Sequence, residues 1–446
     1  MKIIKDTQHN LMKLLQNTNK VIDTFKPSMF NLFFEIDDKL LVYNTFSGVL
    51  LEITQVEREI LTNRQIIKND YNKDLIQEIS LRRMIVDYAE DEIKLYKQFI
   101  DLLSNSISNL NGYNRYTILP TTACNARCFY CFEGEFKPTN MSLKVAEDIA
   151  KFILKTKSSN DISIYWFGGE PLCNTRVIDK ISSKLQNSNV NYKSQMITNG
   201  YLLTSDMIEK AVSLWNLDFL QFSMDGYGDV HNQRKNFLNP STDPFLKIIE
   251  NLDLAVNSDI KTIKVRINID LKNIESAYKL VDYLKSNYAN SGRLSVYATK
   301  LFDSSGTWDS LRTNSDNALL HTEYCKLTEY IAKCGLYKYP NLKNKLKLYN
   351  CDANKPTAIV IDPVGDLFSC NHCDASQKVG TIYNGITNAE LRNAWINNNN
   401  MSEGCKDCPF IPTCTLFDKC PDKKSFCRQD NLFLLENAIK SIFKTR

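Results

Sequence analysis

Strand-like and helix-like segments alternate through six units between residues 115 and 299, and this alternation limits the fold more than any other property of the chain. The strands read as RYTILP (115–120), DISIYWF (161–167), SQMIT (194–198), DFLQFSM (218–224), KTIKVRINID (261–270) and RLSVYAT (293–299). Helical periodicity fills the intervals at 141–156, 175–187, 204–215, 244–256 and 274–287. A helix between two strands precludes a tight hairpin, so successive strands are expected to lie parallel. Six such units predict an α/β fold whose sheet curls into a partial (β/α)6 TIM-like barrel. In that architecture the side chains that do chemistry collect at the carboxyl ends of the strands.

The chain is longer than the barrel needs. Its 446 residues, 43% of them hydrophobic, suffice for two or three cored domains. Upstream, LFFEIDD, LLVYNTF and GVLLEIT read as paired strands with turns at Asp37-Asp38 and Ser47-Gly48, followed by helical segments to about residue 105. The expected divisions are a small N-terminal α+β domain at 1–110, the barrel at 111–310 and a C-terminal cysteine-rich domain at 311–446, with NLNGYN (109–114) as the first boundary. A net charge of +4 without a basic stripe gives no case for nucleic acid as a partner. The first twenty residues lack the apolar core of a secretion signal, and no run of about 18 apolar residues occurs, so a cytoplasmic chain with no membrane partner is expected.

In a reducing compartment the 14 cysteines read as thiols available to metals rather than as disulfides. Cys173, Cys325 and Cys334 stand alone and read as isolated thiols. Cys124, Cys128 and Cys131 form C-x3-C-x2-C directly after the first barrel strand. Three thiolates leave one iron of a four-iron cluster open, and an open position separates a catalytic metal site from a structural one. Zinc is the alternative, although structural zinc typically takes four protein ligands.

This cysteine spacing, with the aromatic Tyr130 before the third thiol, resembles the radical SAM superfamily over residues 115–299. The resemblance implies that Cys124, Cys128 and Cys131 are the catalytic centre, holding a 4Fe-4S cluster whose open iron is chelated by S-adenosylmethionine. One electron then cleaves the carbon–sulfur bond and gives a 5'-deoxyadenosyl radical that abstracts hydrogen from the substrate. WFGGEPL after strand two resembles the family's signature for the methionine amino group, with Gly168 and Gly169 letting backbone approach a ligand and Glu170 accepting from an ammonium. Asn199 in ITNG and Ser223 in S-x-D-G join Tyr130 as expected cofactor contacts. Four residues after His231, where the family usually has an arginine for the methionine carboxylate, stands Lys235, preceded by Arg234. The planar fork of arginine suits a carboxylate better and favours Arg234, while His231 reads as structural. VRINID sets Arg266, Asn268 and Asp270 on one face, as pocket lining or as a solvated interior face.

The later cysteines resemble the SPASM extension of radical SAM enzymes, which implies two auxiliary 4Fe-4S clusters and three clusters in all. Family order assigns Cys351, Cys370 and Cys420 to the first and Cys405, Cys408, Cys414 and Cys427 to the second. Cys373 is extra, closing the first cluster or leaving its iron open, and two zinc knuckles are the alternative. Enzymes of this type act mostly on peptide side chains. The formylglycine-forming sulfatase maturases place an aspartate immediately after the cysteine matching Cys370, but Asn371 stands there and cannot take a proton at neutral pH. The expectation is therefore a maturase of a ribosomally made precursor peptide that forms a crosslink, a thioether, with flavodoxin or ferredoxin as electron donor. Its N-terminal domain resembles the winged-helix module that holds a precursor's leader, or is a packing extension. A non-catalytic iron-sulfur or zinc protein for electron transfer or partner binding is the alternative from another class.

Overall fold

The computed structural model describes residues 1–6, 22–69, 71–108, 112–133, 137–188, 190–301, 314–340, 342, 349, 351–372, 374–396, 405–414 and 427–444. The chain begins with β1 (Lys2–Asp6), β2 (Thr24–Pro27), β3 (Asn31–Ile36), β4 (Lys39–Asn44) and β5 (Val49–Ile53). Four of these form an antiparallel sheet in the order β1-β5-β4-β3. The turn from β3 to β4 holds Asp37 and Asp38 at φ 50° and 60°, a left-handed conformation that aspartate tolerates. Next come α1 (Gln55–Thr62), β6 (Ile66–Ile67), α2 (Lys73–Leu81), β7 (Ile85–Asp87) and α3 (Glu92–Ser108), with β2 pairing between β6 and β7. A capping box, in which Thr54 and Glu57 each bond the other's backbone N–H, starts α1. The expected mixed module is present, and it is not detached. Leu435, Ala438 and Ile439 of the C-terminal helix pack on the face that holds Phe34, Leu41 and Leu50.

From residue 115 the six predicted strands run as β8 (Arg115–Ile118), β9 (Asp161–Trp166), β10 (Asn191–Thr198), β11 (Leu217–Met224), β12 (Thr262–Ile269) and β13 (Leu294–Lys300), each parallel to the next. The helices between them are α4 (Leu143–Thr156), α5 (Thr175–Gln186), α6 (Ser205–Ser213), the short α7 (Asp229–Lys235), α8 (Pro244–Val256) and α9 (Ile274–Tyr288). Their starts follow from local chemistry: Ser142, Thr204 and Asp243 each accept a backbone N–H from the first turn, and Pro244 opens α8. The core lies between sheet and helices, where Trp166, Phe222, Ile263, Val265 and Val296 are fully buried. The sheet does not close, since β13 and the last strand are its edges.

One parallel strand was not foreseen. After α10 (Asn314–Lys333), β14 (Ala358–Ile361) pairs in parallel with β8, and β15 (Asp366–Phe368), β16 (Gly380–Thr381) and β17 (Gly385–Ile386) extend the same sheet antiparallel to ten strands. All four residues of β14 are buried, the mark of a parallel strand covered on both faces. α11 (Ala389–Ile396) follows, and α12 (Cys427–Lys444) ends the chain's ordered elements. Among the described residues, no helix is long and apolar enough to cross a membrane.

Candidate active site

The cysteine loop leaves the carboxyl end of β8 and is strapped on both sides by backbone hydrogen bonds. Gly169 and Glu170, after β9, donate to the carbonyls of Thr121 and Ala123, at 3.2 and 3.0 Å. On the other side Arg127 donates to the carbonyl of Lys235 at 3.0 Å, and Leu238 donates to that of Asn125 at 2.8 Å. The glycines are required by this first strap rather than by a ligand alone. A Cβ on Gly169 would stand 2.4 Å from the carbonyl oxygen of Ala123, and one on Gly168, at φ 113°, would stand 2.4 Å from that of Thr121. Gly169→Ala is therefore expected to part the two loops, at a cost of about 1–3 kcal/mol. Its measurable sign is a lower unfolding midpoint together with less iron retained per chain after anaerobic reconstitution.

Glu170 has a structural task as well. Its buried carboxylate accepts from the backbone N–H of Leu172 (3.1 Å), the hydroxyl of Thr198 (2.8 Å) and the backbone N–H of Asn199 (2.7 Å). The expectation that it accepts from a ligand ammonium is not what this geometry favours, because the carboxylate already holds the end of β10 against the loop after β9. Burial nevertheless outweighs these bonds and raises its pKa.

Between these loops and the C-terminal segment lies a cavity of about 280 Å³. Cys124, Cys128 and Cys131 line it, as do Tyr130, Gly168 and Gly169, and so do Glu170, Asn199 and Ser223. The tenth expected residue, Arg234, does not. On α7 the two adjacent cations diverge: Arg234 forms a two-point ion pair with Asp270 (3.3 and 3.0 Å) and sits over the Phe129 ring, whereas Lys235 turns inward and lines the cavity. Helical geometry turns neighbouring side chains about 100° apart, so only one can face inward. The structure thus places Lys235, and not the expected Arg234, on the cavity wall.

Lys235 and Asp225 are almost wholly buried, 3.4 Å apart. The Lys235 ammonium also donates to the hydroxyls of Tyr130 (3.0 Å) and Ser223 (3.2 Å), and Asp225 accepts from Tyr130 (2.6 Å) and Asn268 (2.9 Å). Burial opposes both charges, but each holds the other ionised: Asp225 stays below the usual carboxylate range and Lys235 above the usual amine range. His231 is buried, accepts the Asp225 N–H on Nδ1 at 3.2 Å, and is pushed down to about 3 by burial and then Lys235, as suits a structural imidazole. Burial and then Glu170 raise the Cys124 thiol to about 12, and burial raises Cys128 and Cys131 as well, the direction that a bound metal would reverse.

Among the cavity residues not singled out from the sequence are Phe132, Glu133, Phe167 and His372. His372 comes from the C-terminal segment, two residues after Cys370, and stacks on Phe132 at 3.7 Å. Among the later cysteines, Cys351 and Cys370 each accept a backbone N–H from two residues on, at 3.3 and 3.4 Å, as Cys124 does from Ala126 at 3.4 Å. Cys405, Cys408 and Cys414 lie on one short loop whose Pro409 carbonyl accepts from Thr45 and whose Ile411 packs on Phe30, Phe46 and Phe99 of the N-terminal module. Cys427 begins α12, and Cys373 and Cys420 lie outside the described residues. No three Cys, His, Asp or Glu side chains among the described residues converge at single-ion spacing.

A parallel sheet whose first loop presents three thiols into a cavity is an arrangement in which a cluster with one open position could sit beside a small molecule. Residues 118–284 match the radical SAM superfamily, so this stretch of the chain is similar to the domain that carries radical SAM chemistry. It is 22% identical to the radical SAM cyclopropyl synthase TigE of Paramaledivibacter caminithermalis, covering 89% of this chain and 88% of that one. Its fold resembles that of anSMEcpe solved with bound AdoMet (TM-score 0.58, 16% identity, 74% of this chain and 99% of that one). It also resembles Streptococcus suis SuiB bound to S-adenosylmethionine (TM-score 0.51, 16% identity, 90% and 99%). The family implies a 4Fe-4S cluster and S-adenosylmethionine, and the three thiols beside a polar cavity fit both.

Proposed function

We propose that the chain is a peptide maturase that crosslinks a ribosomally made precursor. The observation that supports this best is likeness over nearly the whole chain to TigE, a cyclopropyl synthase, with support from the fold of SuiB and from that of anSMEcpe bound to the Kp18Cys peptide. When bound, cluster and cofactor supply a radical that removes a hydrogen atom from a substrate carbon. Cys124, Cys128 and Cys131 hold the cluster. Lys235 meets the cofactor carboxylate, oriented by Asp225 and Tyr130. Ser223 and Asn199 offer further hydrogen bonds, and the Gly168-Gly169 backbone offers carbonyls to the amino group.

In this reading Cys351, Cys370 and Cys420 hold one auxiliary cluster, and Cys405, Cys408, Cys414 and Cys427 hold the other. Bound there, such clusters would supply an acceptor for the second electron or an iron for the substrate thiolate. Residues 1–110 receive the leader, against the loop of the second cysteine group. Flavodoxin or ferredoxin donates the first electron. The favoured product is a thioether, and a carbon–carbon closure is the second reading because TigE makes a cyclopropane. A sulfatase-maturase activity is disfavoured by Asn371 in place of a base.

The test is incubation of reconstituted enzyme with S-adenosylmethionine, reductant and the cysteine-containing peptide encoded beside the gene. Loss of two hydrogens, about 2 Da, is expected in either crosslink, with the peptide thiol consumed only in the thioether. Deoxyadenosine released with an unchanged peptide mass would remove this substrate assignment.

A further inference from the structure

Two side chains on the cavity wall each carry a buried polar atom without a hydrogen-bond partner among the described residues. Glu133 is 7% exposed, and its Oε1 has no hydrogen-bond partner among the described residues. Arg266, on β12, lines the same cavity, and its buried Nε has none either. Among the described residues no ion pair joins the two, and none ties either to another side chain. A buried polar group left unmatched costs about 1–3 kcal/mol, and more when charged. Folded chains retain such groups where something else completes them.

The cofactor's polar anchors are accounted for by Lys235, Ser223, Asn199 and the glycine loop. Phe132, Phe167, Leu301 and His372 line the same cavity, so much of its wall is apolar with few polar points, which is how a site fixes the orientation of a substrate. One acceptor and one donor in one cavity match the two hydrogen-bonding groups of an amide. Arg266 also shares a strand face with Asn268, two residues on, which bonds Tyr130 and Asp225. The donor therefore stands next to the radical-forming network without belonging to it.

We propose that Glu133 and Arg266 anchor the peptide backbone of the residue to be modified, Arg266 donating to a carbonyl and Glu133 accepting from an N–H. This rests on the maturase reading. Both the ionised and the neutral carboxyl present an accepting oxygen, so the anchor does not depend on protonation. The pair are positioning residues: they decide which hydrogen faces the radical.

The test compares Arg266→Leu and Glu133→Leu, which fill the space without the polar groups, with Arg266→Lys and Glu133→Gln, which keep a donor and an acceptor. With the precursor peptide, the Leu variants are expected to convert about tenfold less peptide per deoxyadenosine released, because misplacement spends the radical elsewhere. Arg266→Lys and Glu133→Gln recover part of that ratio, which a merely structural role would not produce. An unchanged ratio in the Leu variants overturns the proposal. So does a raised KM for S-adenosylmethionine at constant ratio, which would assign the pair to the cofactor. If the wild-type enzyme leaves the peptide unmodified, the maturase reading itself fails; wild-type conversion with indifferent variants removes only the anchors.

Discussion

On the proposed three-cluster reading, replacing Cys124, Cys128 and Cys131 together by alanine is expected to abolish deoxyadenosine formation and to lower the iron bound from about 12 to about 8 per chain. The chain should remain folded. The loop is held by backbone bonds from Gly169, Glu170, Arg127 and Leu238, none of which involves a thiol, and Cys124 and Cys128 only pad the edge of the main core. The later cysteines stand on other elements, the loop around Pro409, the start of α12 and the segments flanking β14 and β15, so their clusters should survive. Iron and sulfide analysis with the low-temperature electron paramagnetic resonance spectrum checks both halves of the expectation. Deoxyadenosine surviving in the triple variant would remove these thiols from the catalytic role, and loss of all iron would mean that the three sites are not independent.

How much of this was legible in the sequence differs by element, for physical reasons. The six parallel strands were readable because strand and helix periods differ and recur. β14 was not, since a four-residue apolar run between cysteines carries no period of its own and declares itself only by pairing with β8. The cysteine loop and the glycines were readable as types, yet the close approach that demands Gly169 is to Ala123 rather than to a ligand, which only the fold shows. Side-chain chemistry alone favoured Arg234, whereas the cation that lines the cavity is Lys235. Asp270, just past the end of β12, pairs with the guanidinium, and no spacing in the sequence encodes that contact. His372 left no trace because it enters the cavity from more than two hundred residues away in sequence, as its stacking on Phe132 records.

The second large effect is expected at Lys235. Changing it to methionine leaves Asp225, with no measurable exposure, to keep its charge with only neutral donors. Removing one partner of such a buried pair costs about 3–5 kcal/mol. The pair should therefore show strong coupling: the double variant Lys235→Met, Asp225→Asn removes both charges and is expected to recover most of the lost stability. Activity should not follow. Without the ammonium, the cofactor carboxylate loses a charge-assisted hydrogen bond of about 1.5–3 kcal/mol, so KM for S-adenosylmethionine rises roughly 10- to 100-fold in the single and double variants alike. Thermal unfolding and deoxyadenosine kinetics on the same preparations separate the two roles. Recovery of both stability and KM in the double variant would show that Lys235 serves only to neutralise Asp225, and the search for the carboxylate's partner would turn to Arg266. Failure of both to recover would instead point to Asp225 holding Tyr130 and Asn268 in place by hydrogen bonds that asparagine cannot copy, since its amide must present a donor where the carboxylate presents an acceptor.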